Sequence, residues 1–173
     1  SNDPNQKIEY LLQATRASSR DPRFYLMLST LYVQQQRFKE AQIALEMLVE
    51  LQPNQAQHYD RLGQVYVNMN QLQKAETAFK TAIKLDSTLP YPHIYLASIY
   101  GSDQRYDSAI EELNIVLDMW PTMTDAYYRL GLIYEVTGQL ENAAGMYRQV
   151  IEQDADFRDA AERLRQLENR QAE

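Results

Sequence analysis

The chain of 173 residues contains no cysteine, and it has only two histidines and five glycines. Without cysteine there is no disulfide framework and no cysteine-based metal site. The glycines are scattered and form no phosphate-binding loop. No nucleophilic serine motif and no paired-carboxylate motif stands out, and His58 and His93 are interpreted as partly buried helix-surface residues rather than metal ligands. We therefore expect no catalytic residue, no cofactor and no metal, and we predict that the protein is not an enzyme.

Basic charge and long apolar segments are also scarce. The formal net charge is −7, which argues against a nucleic acid or an anionic membrane surface as a partner. No stretch is long and apolar enough to span a bilayer, so we expect no direct insertion of this chain into a membrane.

The compartment is left open by the sequence. No signal peptide is visible, and the chain begins with Ser1-Asn2 rather than with methionine. That start is typical of a remnant left by tag removal. We expect a fragment from which a leader, an anchor or further repeats have been cut, and both the cytoplasm and the periplasm are compatible with its composition.

What the chain does contain is a period of 34 residues. A tyrosine recurs at this interval, at Tyr32, Tyr66, Tyr100 and Tyr134. A small residue stands three positions before each tyrosine, at Ser29, Gly63, Ala97 and Gly131. An alanine stands nine positions after each, at Ala41, Ala75, Ala109 and Ala143. A fixed period of this size, free of insertions, predicts a repeat architecture.

Each copy of the repeat is predicted to be a pair of antiparallel helices, A and B. Its apolar residues recur at helical spacing, as in Tyr59, Leu62, Gly63 and Tyr66. The small residues allow the two helices to cross closely, and each tyrosine should bury its ring with the hydroxyl at a polar edge. Between A and B we expect a left-handed backbone at one turn position. Its occupants in the four copies are Gln36, Asn70, Gln104 and Gly138.

The second copy reads Tyr59-x2-Leu62-Gly63-x2-Tyr66 and then Ala75-x3-Phe79, which resembles the tetratricopeptide repeat. Tyrosine replaces the tryptophan of that pattern, and His93 replaces it in the third copy. The resemblance implies an all-α fold, a superhelical solenoid of antiparallel helix pairs. The four predicted repeats span 22–55, 56–89, 90–123 and 124–157.

Two further helices are predicted outside the repeats, and together with them we expect one continuous domain. Residues 1–21 have the phase of a helix B, so they form either an N-terminal packing helix or half of a truncated repeat. Asp3-Pro4 and Asp21-Pro22 both have the composition of a helix start. Residues 158–173 have one apolar face and a charged back, which is typical of a C-terminal capping helix.

The resemblance also implies that the A helices line a concave groove, which holds an extended peptide or a partner helix. The groove positions that we predict to contact a partner are Arg23, Leu26, Thr30, Asp60, Arg61, Gln64, Tyr91, Ile94, Tyr95, Tyr128, Arg129 and Leu132. Tyr91, Tyr95 and Tyr128 lie off the repeating tyrosine positions, so the core does not explain them. Exposed tyrosine and arginine often dominate interface energies, and we expect an apolar or acidic-flanked segment to insert between these side chains.

The predicted function is a protein–protein interaction scaffold or adaptor. The alternative is a regulatory or targeting domain of a larger or membrane-anchored protein, for example a bacterial membrane-complex assembly factor. Self-association is a third alternative.

Chaperone-binding members of the family hold a C-terminal carboxylate with a clamp of Lys, Asn, Asn, Lys and Arg. In the first three repeats those positions are occupied by Leu26, Thr30, Arg61, Tyr91 and Tyr95, and in the last three by Asp60, Gln64, Tyr95, Asp125 and Arg129. Since neither set retains the clamp, we do not expect this carboxylate-clamp binding.

Overall fold

The computed structural model describes residues 3–171, and over that range the chain forms ten α-helices and no strand. In chain order the helices are α1 (Pro4–Ala17), α2 (Pro22–Gln34), α3 (Phe38–Leu51), α4 (Ala56–Asn68), α5 (Leu72–Leu85), α6 (Pro90–Ser102), α7 (Tyr106–Met119), α8 (Thr124–Val136), α9 (Leu140–Gln153) and α10 (Ala160–Gln171). The even-numbered helices α2 to α8 are the predicted helices A, and α3 to α9 the predicted helices B. The two predicted terminal segments extend beyond the described residues at 1–2 and 172–173.

The chain divides into two compact units at the peptide bond between Pro92 and His93, inside α6. In the first unit each helix from α1 to α4 packs against the next one in the chain. In the second unit α7 packs on α8, α8 on α9 and α9 on α10.

The first two helices begin as their sequences predict. Asp3 and Asp21 are N-caps, and the carboxylate oxygen of each accepts the backbone N–H of the residue two positions later at 3.0 Å. A proline occupies the first turn of each helix, where its missing N–H leaves no hydrogen bond unmade.

Each A–B turn closes on the carbonyl group of a repeating tyrosine. In the first repeat the N–H of Arg37 donates to the carbonyl of Tyr32 at 2.8 Å, and Gln36 between them has φ = 57°. Equivalent bonds of 2.8–2.9 Å reach the other three tyrosine carbonyls, and the predicted left-handed residues have φ values between 56° and 76°. This is the Schellman end of a helix, in which a left-handed residue lets the chain satisfy the last carbonyls. Each repeating tyrosine therefore also lies in the last turn of helix A, and its carbonyl accepts the bond that closes the turn.

The small residues of helix A are matched to the side chain that they meet on helix B. A Cβ atom added to Gly63 would lie 2.6 Å from the ring of Phe79, and one added to Gly131 would lie 2.6 Å from the ring of Tyr147. In the two repeats where the B position is Leu45 or Leu113 instead, helix A has a serine or an alanine. Glycine thus stands where the partner is aromatic, because only there does a Cβ have no room.

Helix α10 closes the apolar end of the second unit. Its Ala160 and Leu167 are buried together with Tyr147 and Val150 of α9. On its outer side Glu168 accepts a hydrogen bond from Arg148 of α9 at 2.8 Å. The helix thus packs on the last repeat and carries charge on its outer side; its role as a capping helix stays a prediction.

Candidate functional site

Helices α2 and α4 of the first unit enclose a pocket of about 350 Å³. Part of its wall is apolar and comes from Val33, Leu45 and Val65. The remaining lining is polar or small and consists of Ser29, Thr30, Gln34, Asp60, Arg61, Gln64 and Asn68. Such a mixture suits a long side chain that has an apolar stem and a polar head.

Helices α6 and α8 of the second unit form the corresponding pocket, with a volume of about 220 Å³. Its lining residues each lie two repeats after a lining residue of the first pocket, and they are Ala97, Ser98, Gly101, Leu113, Arg129, Leu132 and Ile133. The repeat therefore places the same kind of pocket on the A-helix face of both units. The two pockets differ in their volumes and in several of their lining side chains.

Asp60 is the one carboxylate in either pocket lining. It is partly buried, and both of its oxygens accept hydrogen bonds from the side-chain amide of Gln64 at 3.1 Å. The structure shows no ion pair for it within residues 3–171. Desolvation by the surrounding protein raises the pKa of Asp60 above its ordinary value, and this outweighs the opposing effects of the Gln64 hydrogen bonds and the Arg61 charge.

Arg61 and Arg129 occupy the same repeat position, but their surroundings differ. Arg129 is half-buried, and its Nε lies 2.6 Å from a carboxylate oxygen of Asp125 while its Nη1 lies 2.6 Å from Ser98 Oγ. Arg61 is exposed, and within the described range it makes no ion pair or side-chain hydrogen bond. The cause is local, because Gln57 stands in the first unit where the second unit has Asp125.

The other predicted residues of the first unit are largely accessible. Arg23 is exposed and is held at 2.6 Å by the capping Asp21. Thr30 is exposed and turns its hydroxyl back to the Leu26 carbonyl at 2.9 Å, while Leu26 itself is half-buried. Tyr91 is 57% exposed. Of these four, only Thr30 lines the pocket between α2 and α4.

In the second unit the structure corrects two expectations about accessible residues. Ile94 is only 2% exposed and Tyr128 only 7% exposed, so neither presents a side chain for a partner to cover. The remaining three, Tyr95, Arg129 and Leu132, are half-buried. Leu132 also packs against the buried cluster of the last repeat.

Tyr128 is buried because the C-terminal segment folds over it. Its hydroxyl donates to the carboxylate of Asp159, and its ring meets those of Tyr147 and Phe157 at centroid distances of 6.0 and 5.7 Å. The Arg158 guanidinium stacks on the same ring at 4.8 Å. Burial raises the pKa of Tyr128, and its bond to the Asp159 carboxylate raises it further. The departure of Tyr128 from the repeating tyrosine positions therefore marks a contact with the capping segment.

The two histidines are more deeply buried than the sequence suggested. His58 Nε2 lies 2.8 Å from the amide oxygen of Gln52, and His93 Nδ1 lies 2.6 Å from a carboxylate oxygen of Glu112. The second ring nitrogen of each is buried without a hydrogen-bond partner. Across residues 3–171 no group of three metal-ligating side chains gathers.

The predicted list omitted several residues that line the pockets. Val33, Gln34 and Asn68 lie in the last turn of helix A, one turn beyond the predicted positions, and Gly101 lies there in the second unit. Val33 and Gly101 occupy the same position two repeats apart, so the period relates the two residues once one of them is known to line a pocket. Among the described helices, none has the length and apolar character needed to cross a membrane.

Models of tetratricopeptide repeats match residues 22–55 and 56–89 individually and residues 94–156 as one segment. The chain is similar to the crystal structure of MamA, with a TM-score of 0.81 and 24% identity over 86% of this chain and 87% of that one. YrrB, described as a repeat protein with an unusual peptide-binding site, is similar with a TM-score of 0.81 and 20% identity over 93% of this chain and 83% of that one.

A third similar structure is the first repeat domain of Spaghetti (RPAP3), bound to the HSP90 peptide SRMEEVD. Its TM-score is 0.65, and its identity is 22% over 69% of this chain and 94% of that one. Likeness at these identities shows the fold alone, which is the all-α solenoid of antiparallel helix pairs.

Proposed function

Since this chain belongs to the tetratricopeptide repeat family, we propose that it is a non-enzymatic interaction scaffold that binds a peptide segment of another protein on the faces of its A helices. The observation that carries the proposal is the recurrence of one pocket in both units, between α2 and α4 and between α6 and α8. Each pocket has apolar and polar lining residues, which suits a side chain of a bound extended peptide.

Two of the similar proteins support this function. YrrB is described as having a peptide-binding site, and the RPAP3 domain as bound to an HSP90 peptide. The absence of a carboxylate clamp at the sequence positions given above stays a prediction, so we do not assign a chaperone C-terminus as the partner. In the first pocket Arg61 is exposed and has no ion pair among the described residues, so it can bind a partner. Arg129 of the second pocket instead forms hydrogen bonds to Asp125 and Ser98.

The proposal is tested with a display library of random twelve-residue peptides selected on the immobilised protein. The enriched peptides are then titrated by fluorescence polarisation against T30R, which fills the pocket between α2 and α4, and against S98R, which fills the other. Asn114 is exposed on helix α7, away from both pockets, so N114R is the matched control.

We expect T30R or S98R to weaken binding by at least about tenfold, the equivalent of about 1.4 kcal/mol, and N114R to leave it unchanged. Circular dichroism verifies that all three variants keep the helical content of the parent. A library that yields no binder, or binders insensitive to both pocket variants, would show that the A-helix faces are not the binding site.

A further inference from the structure

Asp60 stands at a repeat position that is otherwise apolar. The equivalent residues in the other three repeats are Leu26, Ile94 and Tyr128. The last two are almost fully buried, and Asp60 is itself partly buried in the pocket between α2 and α4. A carboxylate at such a place loses hydrogen bonds to water. The neutral side-chain amide of Gln64 replaces only some of those hydrogen bonds. The fold therefore gives no reason for a charge at this position.

The second unit shows how the same pocket accommodates a cation. There the guanidinium of Arg129 spans the carboxylate of Asp125 and the hydroxyl of Ser98, which lines the pocket between α6 and α8. In the first unit Thr30 stands in place of Ser98, and within residues 3–171 no guanidinium bonds to its hydroxyl. Arg61, at the position of Arg129, also lines the first pocket, but in the described structure it bonds to neither the Thr30 hydroxyl nor the Asp60 carboxylate.

From this contrast we propose that the pocket between α2 and α4 takes a lysine or arginine side chain of the bound peptide, with its cationic head on the carboxylate of Asp60. Val33, Leu45 and Val65 would cover the methylene stem. The side-chain oxygens of Gln34, Gln64 and Asn68 would accept the remaining N–H groups. The inference rests on the proposed function, because it names the chemistry of the residue that enters one of the two pockets.

Arg61 lies beside Asp60 and limits which peptides fit. Its charge is close enough to oppose the rise in the pKa of Asp60, yet it forms no ion pair with that carboxylate in the described structure. An exposed guanidinium at the mouth of the pocket disfavours a second basic residue and favours an acidic neighbour. The bound segment therefore carries one basic side chain with an acidic residue near it.

The test uses the same peptide library, selected in parallel on the parent protein, on D60N and on E50Q. Glu50 is exposed on α3 and has no contact with the pocket, so E50Q controls for the loss of one negative charge in the first unit. We expect the parent and E50Q to enrich peptides with lysine or arginine at one fixed position, and D60N to lose that preference.

A double-substitution cycle then measures the contact. One enriched peptide is compared with its norleucine counterpart on the parent, D60N and E50Q. We expect D60N to weaken the basic peptide by about tenfold or more while the norleucine peptide changes by less than about twofold, and E50Q to leave the preference intact. Enriched peptides that carry no basic position, or equal losses for both peptides, would overturn this inference and leave the proposed function standing. A library without binders would remove both.

The stability of D60N provides an independent check. If Asp60 serves binding, D60N should unfold at the same or a higher urea concentration than the parent, because a desolvated charge is removed. If Asp60 instead stabilises the fold, D60N unfolds at a lower urea concentration, and the binding role is overturned.

Discussion

The pockets of the two units have the same scaffold but differ in how their charged residues are paired. Both are formed by consecutive A helices and by lining residues in the same repeat register. In the second unit, Arg129 forms an ion pair with Asp125. The same carboxylate accepts a hydrogen bond from the Arg158 guanidinium at 2.6 Å. In the first unit Asp60 and Arg61 each lack an ion pair within the described residues.

This difference shows how a repeat protein separates stability from recognition. The residues that repeat are nearly the same in each copy: all four alanine positions are buried, and so are Tyr32, Tyr66 and Tyr100, while Tyr134 is partly buried. Some of the positions that vary are also buried, as at Ile94 and Tyr128, whereas Asp60 and Arg61 face a pocket. A charged side chain without an ion pair in such a pocket is available to a partner. A charged side chain that is already paired within the protein is not.

The largest expected effect tests whether the scaffold is the same in both units. Gly63→Ala and Gly131→Ala each place a Cβ against a buried aromatic ring, so we expect each to destabilise by about 1–3 kcal/mol. Gly145→Ala is the control, since a Cβ there meets no atom within 4 Å and alanine favours a helix by about 1 kcal/mol. Urea denaturation followed by circular dichroism measures all three. Equal stabilities for Gly63→Ala and Gly145→Ala would contradict the close contact with Phe79.

A smaller effect is expected at the turns between helices A and B. Gln36 in the first unit and Gly138 in the second occupy the same left-handed position. Gln36→Gly should stabilise by about 0.5–1 kcal/mol, and Gly138→Gln should destabilise by a similar amount, because a side chain strains a left-handed backbone. Thermal melting of the two variants gives the comparison. If both substitutions shift the melting temperature in the same direction, backbone strain is not what distinguishes these turns.

Substitution of the paired Arg129 and of the unpaired Arg61 compares what each arginine contributes to stability. Arg129→Ala loses its bonds to Asp125 and Ser98, and we expect a cost of about 0.3–1 kcal/mol, since the ion pair is partly exposed. Arg61→Ala should change stability by less than about 0.5 kcal/mol. Urea midpoints at low and high salt give both values, and the effect of Arg129→Ala should shrink as salt screens the pair. A larger loss for Arg61→Ala would reverse the comparison.

The smallest expected effect concerns pH and the buried His58. Burial lowers the pKa of His58, and the nearby Arg61 charge lowers it further, while its hydrogen-bond partner Gln52 is neutral. A base whose pKa is depressed by folding contributes stability that is present above its ordinary pKa and is lost as the pH falls. His58→Gln should therefore lose less stability than the parent between pH 7 and pH 5, measured by urea denaturation. An unchanged acid sensitivity would indicate that His58 is not buried as a neutral base.

The helix pairs, the capped starts at Asp3 and Asp21 and the left-handed turns were all predictable from the sequence. Each depends on residues that are close along the chain or fixed by the repeat period, so one copy constrains the others. The pocket positions at Val33, Gln34 and Asn68 were not predicted. The period relates equivalent positions in different copies, but it does not say which of them face a pocket.

The sequence by itself determined the fold class and the register of the repeats, because burial of small and aromatic residues at helical spacing is a local requirement repeated four times. The tertiary structure decided which side chains remain available. Tyr128 is covered by Phe157 and Asp159 of the C-terminal segment, a contact between residues that lie far apart in the chain. Arg129 is held by Ser98 from another helix, whereas Arg61 has no ion pair or side-chain hydrogen bond among residues 3–171. Pairing across helices depends on distances in space, and no periodicity along the chain specifies them.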